Sequence, residues 1–128
     1  MMKKHTFSKE ERLCSKRLID DLFQRGSSFF LYPYRVVFIR ADGLEPKIQV
    51  LFSVSKRRYP LAVHRNLLKR RMREAYRLQK EALLYSALRG QQHGLAVAIQ
   101  YVSKDQLDFP FLYVKMAAVL EKLHDEAL

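Results

Sequence analysis

Residues 62–77, AVHRNLLKRRMREAYR, carry two patterns at once, and few folds satisfy both. Leu67, Leu68, Met72, Ala75, Leu78 and Ala82 recur at helical spacing, so a helix through this segment needs a core in which to bury them. Stepping about 100° per residue from Arg65 places Lys69, Arg73 and Arg77 up one side, with Arg70 and Lys80 beside them, inside an arc of roughly 140°. Arg71 is the exception and falls on the apolar side. Between Lys56 and Arg77 the chain has nine Lys or Arg and a single acid, Glu74. Solubility is served by mixed signs, whereas a face of nearly one sign repels itself between neighbours four residues apart. A phosphate backbone supplies the missing charge, and the forked donors of Arg match phosphate oxygens. A membrane-surface helix is the weaker reading, because its apolar face would be spent on lipid and is needed here for the core.

The charge balance of the whole chain agrees. Lys and Arg number 24 against 13 Asp and Glu, a formal charge of +11 that a polyanionic partner would relieve. At 128 residues the chain is of one-domain size, and it reads as a single nucleic-acid-binding domain, an RNA-binding one on the resemblance given below, with residues 1–12 as a flexible amino-terminal arm. Cys14 is a lone cysteine, and His5, His64, His93 and His124 lie too far apart in sequence for zinc-ligand spacing, so no metal site is expected on the protein. The start MMKKHTFSKEERL lacks the apolar stretch of a signal peptide, and no run approaches membrane-spanning length. A cytoplasmic protein is expected, with no membrane contact.

SKRLIDDLFQRG, residues 15–26, predicts a short amphipathic helix between an N-cap Ser and a C-cap Gly. YRVVFIRA and KIQVLFSVS are rich in β-branched and aromatic residues and flank the turn cluster DGLEP, which predicts two strands paired with each other; SSFFLY is a shorter extended piece before them. Helical period runs from Val63 to Tyr85, RGQQHG breaks it, LAVAIQYV reads as a buried strand, and FPFLYVKMAAVLEKL as a closing helix. The order α-β-β-β-α-β-α predicts an α+β sandwich, one mainly antiparallel sheet of about four strands with three helices packed on it.

The segment FSVSKRRYPLAVHRNLLKRRMRE resembles the signature of the bacterial ribonuclease P protein component: Ser53, Val54, Ser55, Lys56 and Arg57, then Ala62, Val63, Arg65 and Asn66, then Lys69, Arg70 and Arg73. RLCSKRLIDDLFQRG is similar to the family's amino-terminal Arg-Leu, helix and Gly. Leu51 stands where the family pattern has Gly, Ile19 where it is often aromatic, and the loop RRYPL is longer than the common form. The resemblance implies the ribosomal protein S5 domain 2-like fold, with a left-handed βαβ crossover against the usual rule. It also implies a small basic subunit that joins a catalytic RNA and assists removal of the 5′ leader from precursor tRNA, without an obligate protein partner. Cleavage would then rest on magnesium bound mainly by the RNA, with no protein catalytic residue.

On that reading Arg65, Asn66, Lys69, Arg70, Arg73 and Arg77 contact the catalytic RNA, although Asn66 could equally cap the helix. A cleft between the sheet and the first helix receives the leader, with Ile19, Phe23, Tyr34, Phe38, Ser53, Ser55, Lys56, Arg57 and Arg58 as its residues. Single-stranded RNA needs aromatic faces as well as cations, and ordinary core packing is the competing role for Phe23, Tyr34 and Phe38. A self-sufficient nuclease would need converging carboxylates, but Asp20 and Asp21 diverge on a helix and Glu74 stands among arginines. The competing function is a ribosomal or other structural RNA-binding protein, since fold does not fix function.

Overall fold

The computed structural model describes residues 7–85 and 93–127. After a 3₁₀ turn at Lys9–Glu11 come helix α1 (Lys16–Arg25), strands β1 (Ser27–Leu31), β2 (Tyr34–Asp42) and β3 (Ile48–Val54), and helix α2 (Ala62–Lys80), which runs into a π-helical turn at Glu81–Tyr85. Strand β4 (His93–Tyr101) and helix α3 (Phe109–Ala127) complete the chain. The expected break at residues 89–92 lies outside the described residues, as do residues 1–6 of the expected arm.

The four strands form one sheet in the order β1-β2-β4-β3, with β1–β2 and β2–β4 antiparallel and β3–β4 parallel. The expected pairing of β2 with β3 does not occur, because β4 inserts between them. LAVAI is apolar at every position, and a strand with no polar face belongs in the middle of a sheet covered on both sides. Leu95 to Ile99 are indeed fully buried.

The two faces of β4 differ in bulk. Leu95, Val97 and Ile99 join Tyr34, Val36, Phe38, Ile48, Val50, Phe52 and Val54 in the large core under α2 and α3. Ala96 and Ala98, on the other face, leave room for α1, whose Leu22 packs with them, Val37 and Leu13. Leu51 lies beside this smaller cluster, half-buried. Gly26 ends α1 with an extended backbone (φ −73°), so it is not a left-handed cap. Its requirement is space: a Cβ there would stand 2.3 Å from the Leu22 carbonyl oxygen and 2.9 Å from that of Phe38.

Helix α2 sits rotated by roughly 70° from the sequence-derived stripe. Leu68, Met72, Ala75, Tyr76, Gln79 and Lys80 face inward, whereas Leu78 and Ala82 are exposed. Tyr76 drives the rotation, with edge-on contacts to Phe52 (5.6 Å between centroids) and Phe7 (5.7 Å). Lys80, expected on the basic arc, is therefore buried; its ammonium donates to the Glu11 carboxylate, which also accepts from the Tyr85 hydroxyl. Residues 7–12, expected as part of a flexible arm, are thus packed on the body through Phe7 and Glu11. Arg71, the exception on the helical wheel, donates from Nη1 to the Leu107 carbonyl at 2.7 Å and ties α2 to the segment before α3.

Candidate nucleic-acid interface

Cations gather on the flank of α2 that meets the free edge of β3. The chain before α1 runs along that edge: Arg12 bridges Val50 in parallel fashion, and the Leu13 N–H donates to the Val50 carbonyl at 3.0 Å. This places Arg12 beside α2, where it lines a cleft of about 180 Å³ with Lys69, Arg73, Phe7, Cys14 and Phe52. Partial burial, then the like charges of Arg12 and Arg70, hold the Arg73 guanidinium below the ordinary arginine range. Four cations, Arg12, Lys69, Arg70 and Arg73, so share one region, and none of the cleft-lining residues is acidic. Repulsion of this kind is stored in the free protein and released when phosphates neutralise it.

The other α2 residues divide. Arg70 and Asn66 are exposed. Asn66 does not cap the helix, since the N-cap is Leu61 and has no side-chain cap bond. Arg65 instead ties the loop to the first turn: its Nη1 donates to the carbonyls of Tyr59 and Pro60, both at 2.8 Å. A guanidinium has further donors to offer a phosphate. Arg77 is engaged with Glu74, Nε to Oε1 at 3.1 Å, and this hydrogen bond lowers the Glu74 pKa and raises that of Arg77.

A second surface lies on the opposite face of the sheet, beside α1. One flank of α1, with Leu18, Asp21 and Arg25, borders Ile39 to Asp42. The other flank carries Ile19 and Phe23. On that side the strand register aligns Phe30, Arg35, Gln100 and Ser53 in one row across all four strands. The next row along, Ser28, Val37, Ala98 and Leu51, contains the residues under α1, so the first row shares its face but extends past the helix. Phe30 is 60 % exposed and Phe23 46 %, and Arg35 Nη1 donates to Gln100 Oε1 at 3.0 Å. Arg35, Gln100 and Ser53 make this row polar, Phe30 stands at its β1 side, and the loop Ser55 to Arg58 follows Ser53 and Val54 on the β3 side. In that loop the Ser55 hydroxyl accepts from the N–H groups of Arg57 (3.1 Å) and Arg58 (3.4 Å), so Ser55 shapes the loop while Lys56, Arg57 and Arg58 remain exposed.

Ile19, Phe23 and Ser53 thus lie on the α1 side of the sheet, with the loop Ser55 to Arg58 following β3, whereas Tyr34 and Phe38 do not. Both point to the other face of β2: Tyr34 is fully buried, with its hydroxyl donating to the Leu112 carbonyl at 3.1 Å, and Phe38 packs on Phe29. The alternation of a strand decides this, since Arg35, Val37 and Ile39 take the α1 face. Arg35, Gln100 and Phe30 were missed; the signal for them was the polar Arg in an apolar strand, opposite a Gln in another. Arg12 was missed because its partners are distant in sequence.

The sequence model described as Ribonuclease P matches residues 7–124. The ribonuclease P protein component of Porphyromonas gingivalis ATCC 33277 is 40 % identical over 103 residues, spanning 80 % of this chain and 74 % of its own length. That of Chlorobium phaeobacteroides is 31 % identical over 128 residues, spanning 97 % and 86 %. Among solved structures, the ribonuclease P protein from Thermotoga maritima superposes with a TM-score of 0.68 at 23 % identity, covering 88 % of this chain and 96 % of that one. The Staphylococcus aureus protein gives 0.63 at 21 %, covering 88 % and 94 %.

Proposed function

Given that this chain belongs to the ribonuclease P protein family, we propose that its two surfaces divide the work of tRNA processing between two RNAs. The chain is a protein subunit of that ribonucleoprotein enzyme. The flank of α2, with Arg70, Lys69, Arg73 and Arg12 as direct contacts and Arg65, Asn66 and Arg77 around them, meets phosphates of the catalytic RNA. The groove beside α1 takes the single-stranded 5′ leader of precursor tRNA, with bases on Phe23 and Phe30 and the backbone near Arg35 and the loop Lys56 to Arg58. Stacking is tolerant of sequence, as a subunit serving many precursors requires.

The observation that carries this reading is the separation of the two surfaces, one on the α2 flank at the β3 edge and the other on the α1 face of the sheet. A protein with two RNA-facing surfaces can hold substrate and catalyst together. Among the described residues no three His, Cys, Asp or Glu side chains come close enough to hold a metal ion. In this proposal magnesium, which would supply activated water for phosphodiester attack, is held by the RNA. No helix among the described residues is long and apolar enough to cross a membrane, and we place the work in the cytoplasm. A structural ribosomal role is not favoured by the relatives named above, which are ribonuclease P proteins.

The test is leader dependence. The complex of this protein with a bacterial ribonuclease P RNA is expected to bind precursor tRNA more tightly than mature tRNA, and Phe23→Ala is expected to reduce that preference. Equal affinity for both tRNAs would refute the groove assignment.

A further inference from the structure

Beyond the groove, a second exposed aromatic surface lies round the corner of the sheet. Tyr32, in the turn between β1 and β2, is 43 % exposed, and Phe111, in the first turn of α3, is 37 % exposed. Their rings meet edge to face at 6.3 Å. The Tyr32 ring is held by a 2.8 Å hydrogen bond between its hydroxyl and that of Ser103, and the backbone under Phe111 by its N–H donating to Asp108 Oδ1 at 3.2 Å. Lys115, one turn on, stands 5.5 Å over the Phe111 ring and makes no ion pair among the described residues. Asp108 keeps its negative charge as the helix cap, and Lys115 supplies the cation over the ring. A fixed pair of exposed rings with a cation above one of them is costly to leave in water and suited to a base with its phosphate.

We propose that Tyr32 and Phe111, with Lys115, form a stacking site for an unpaired RNA base, which continues the groove over the β1–β2 turn and holds leader nucleotides farther from the cleavage point. The proposal rests on the leader-groove reading. Continuity supports it: Phe30 faces the groove, Tyr32 follows two residues later, roughly 7 Å along the chain, and Phe111 touches Tyr32. Charge selects the occupant. A second copy of this chain would bring like charges together, Lys115 and a body of +11 on each side, whereas a polyanion is attracted to both.

The experiment uses the complex reconstituted with a bacterial ribonuclease P RNA and two precursor tRNAs, with leaders of about three and about sixteen nucleotides, a span bracketing common single-strand site sizes. For Phe111→Ala, affinity for the long-leader precursor is expected to fall about tenfold and affinity for the short-leader precursor less than about twofold. Phe111→Tyr, which keeps the ring, is expected to retain both affinities and so separates stacking from folding. Equal losses for the two precursors, or no loss, would overturn the proposal. So would a wild-type protein that sediments as a dimer, dissociated by Phe111→Ala with RNA affinity unchanged. Should no leader of either length improve binding to wild type, the groove reading itself fails and this site falls with it. Failure of the Tyr32–Phe111 site alone would instead leave wild-type leader preference intact.

Discussion

Glu11→Gln is expected to be among the most destabilising single-atom changes available in this chain. The side chains of Glu11 and Lys80 are 8 % and 3 % exposed, so the pair is out of water. Replacing the carboxylate by an amide removes the Glu11 charge from beside the buried ammonium of Lys80. Breaking a buried pair from one side costs about 3–5 kcal/mol. The lower end, about 3 kcal/mol, applies because the Gln carbonyl can still accept from Lys80 and Tyr85. Against a total stability on the order of 5–15 kcal/mol, that is a large fraction. Urea denaturation followed by far-ultraviolet circular dichroism measures it. Removing both charges and the orphaned hydroxyl together, as Glu11→Leu, Lys80→Met and Tyr85→Phe, is expected to recover most of the loss, since apolar replacements of buried pairs are often neutral. The pH dependence follows from the same group. Burial raises the Glu11 pKa, but hydrogen bonds from Lys80, the Ser8 N–H and Tyr85 outweigh it and bring the net value below the ordinary 4.5. A lowered carboxylate pKa contributes stability that is complete above the unfolded value and is lost as pH falls through the folded one. Wild type should therefore weaken on acidification below about pH 4.5 more steeply than Glu11→Gln. A variant within about 0.5 kcal/mol of wild type at neutral pH, a change typical of a surface site, would refute the account of this anchor.

The two RNA surfaces make separable predictions. Arg70→Ala is expected to flatten the slope of log affinity against log salt for the catalytic RNA by about 0.7–0.9, one phosphate's worth, and an unchanged slope would remove Arg70 from the contact set. Phe23→Ala is expected to weaken binding of a leader oligonucleotide by about 1–3 kcal/mol with its salt slope intact, because stacking releases no counterion. Tyr34→Phe should do the reverse of a groove mutation, lowering stability by about 1 kcal/mol through the lost bond to Leu112 while leaving leader affinity alone. Gly26→Ala is expected to cost well over 1 kcal/mol in thermal unfolding, since the new Cβ would collide with two backbone carbonyls.

Much of this was legible in the chain because local patterns and tertiary demands agree. The strand alternation of Ile48, Val50, Phe52 and Val54 is the alternation of their burial. Ser15 caps α1 as its position suggested, its hydroxyl accepting from the Leu18 N–H. Sequence misled where a long-range partner decided the outcome. Lys80 looks like one more cation until Glu11, 69 residues away, is placed beside it. Tyr34 and Phe38 are aromatic residues of a strand near the groove, and only the register shows that odd-numbered neighbours own that face. The β2–β3 turn cluster suggested a hairpin, but the doubly apolar β4 outcompeted it for the central position. The groove row could not be read at all before the four strands were aligned, since Phe30, Arg35, Gln100 and Ser53 come from distant parts of the chain.

Cleavage of a 5′-extended precursor tRNA at low magnesium by a bacterial ribonuclease P RNA, with and without this protein, addresses the central claim most directly. Accurate release of the leader with protein and RNA together, and none with protein alone, is the predicted result. Cleavage by the protein alone, or no stimulation of a cognate RNA, would contradict it.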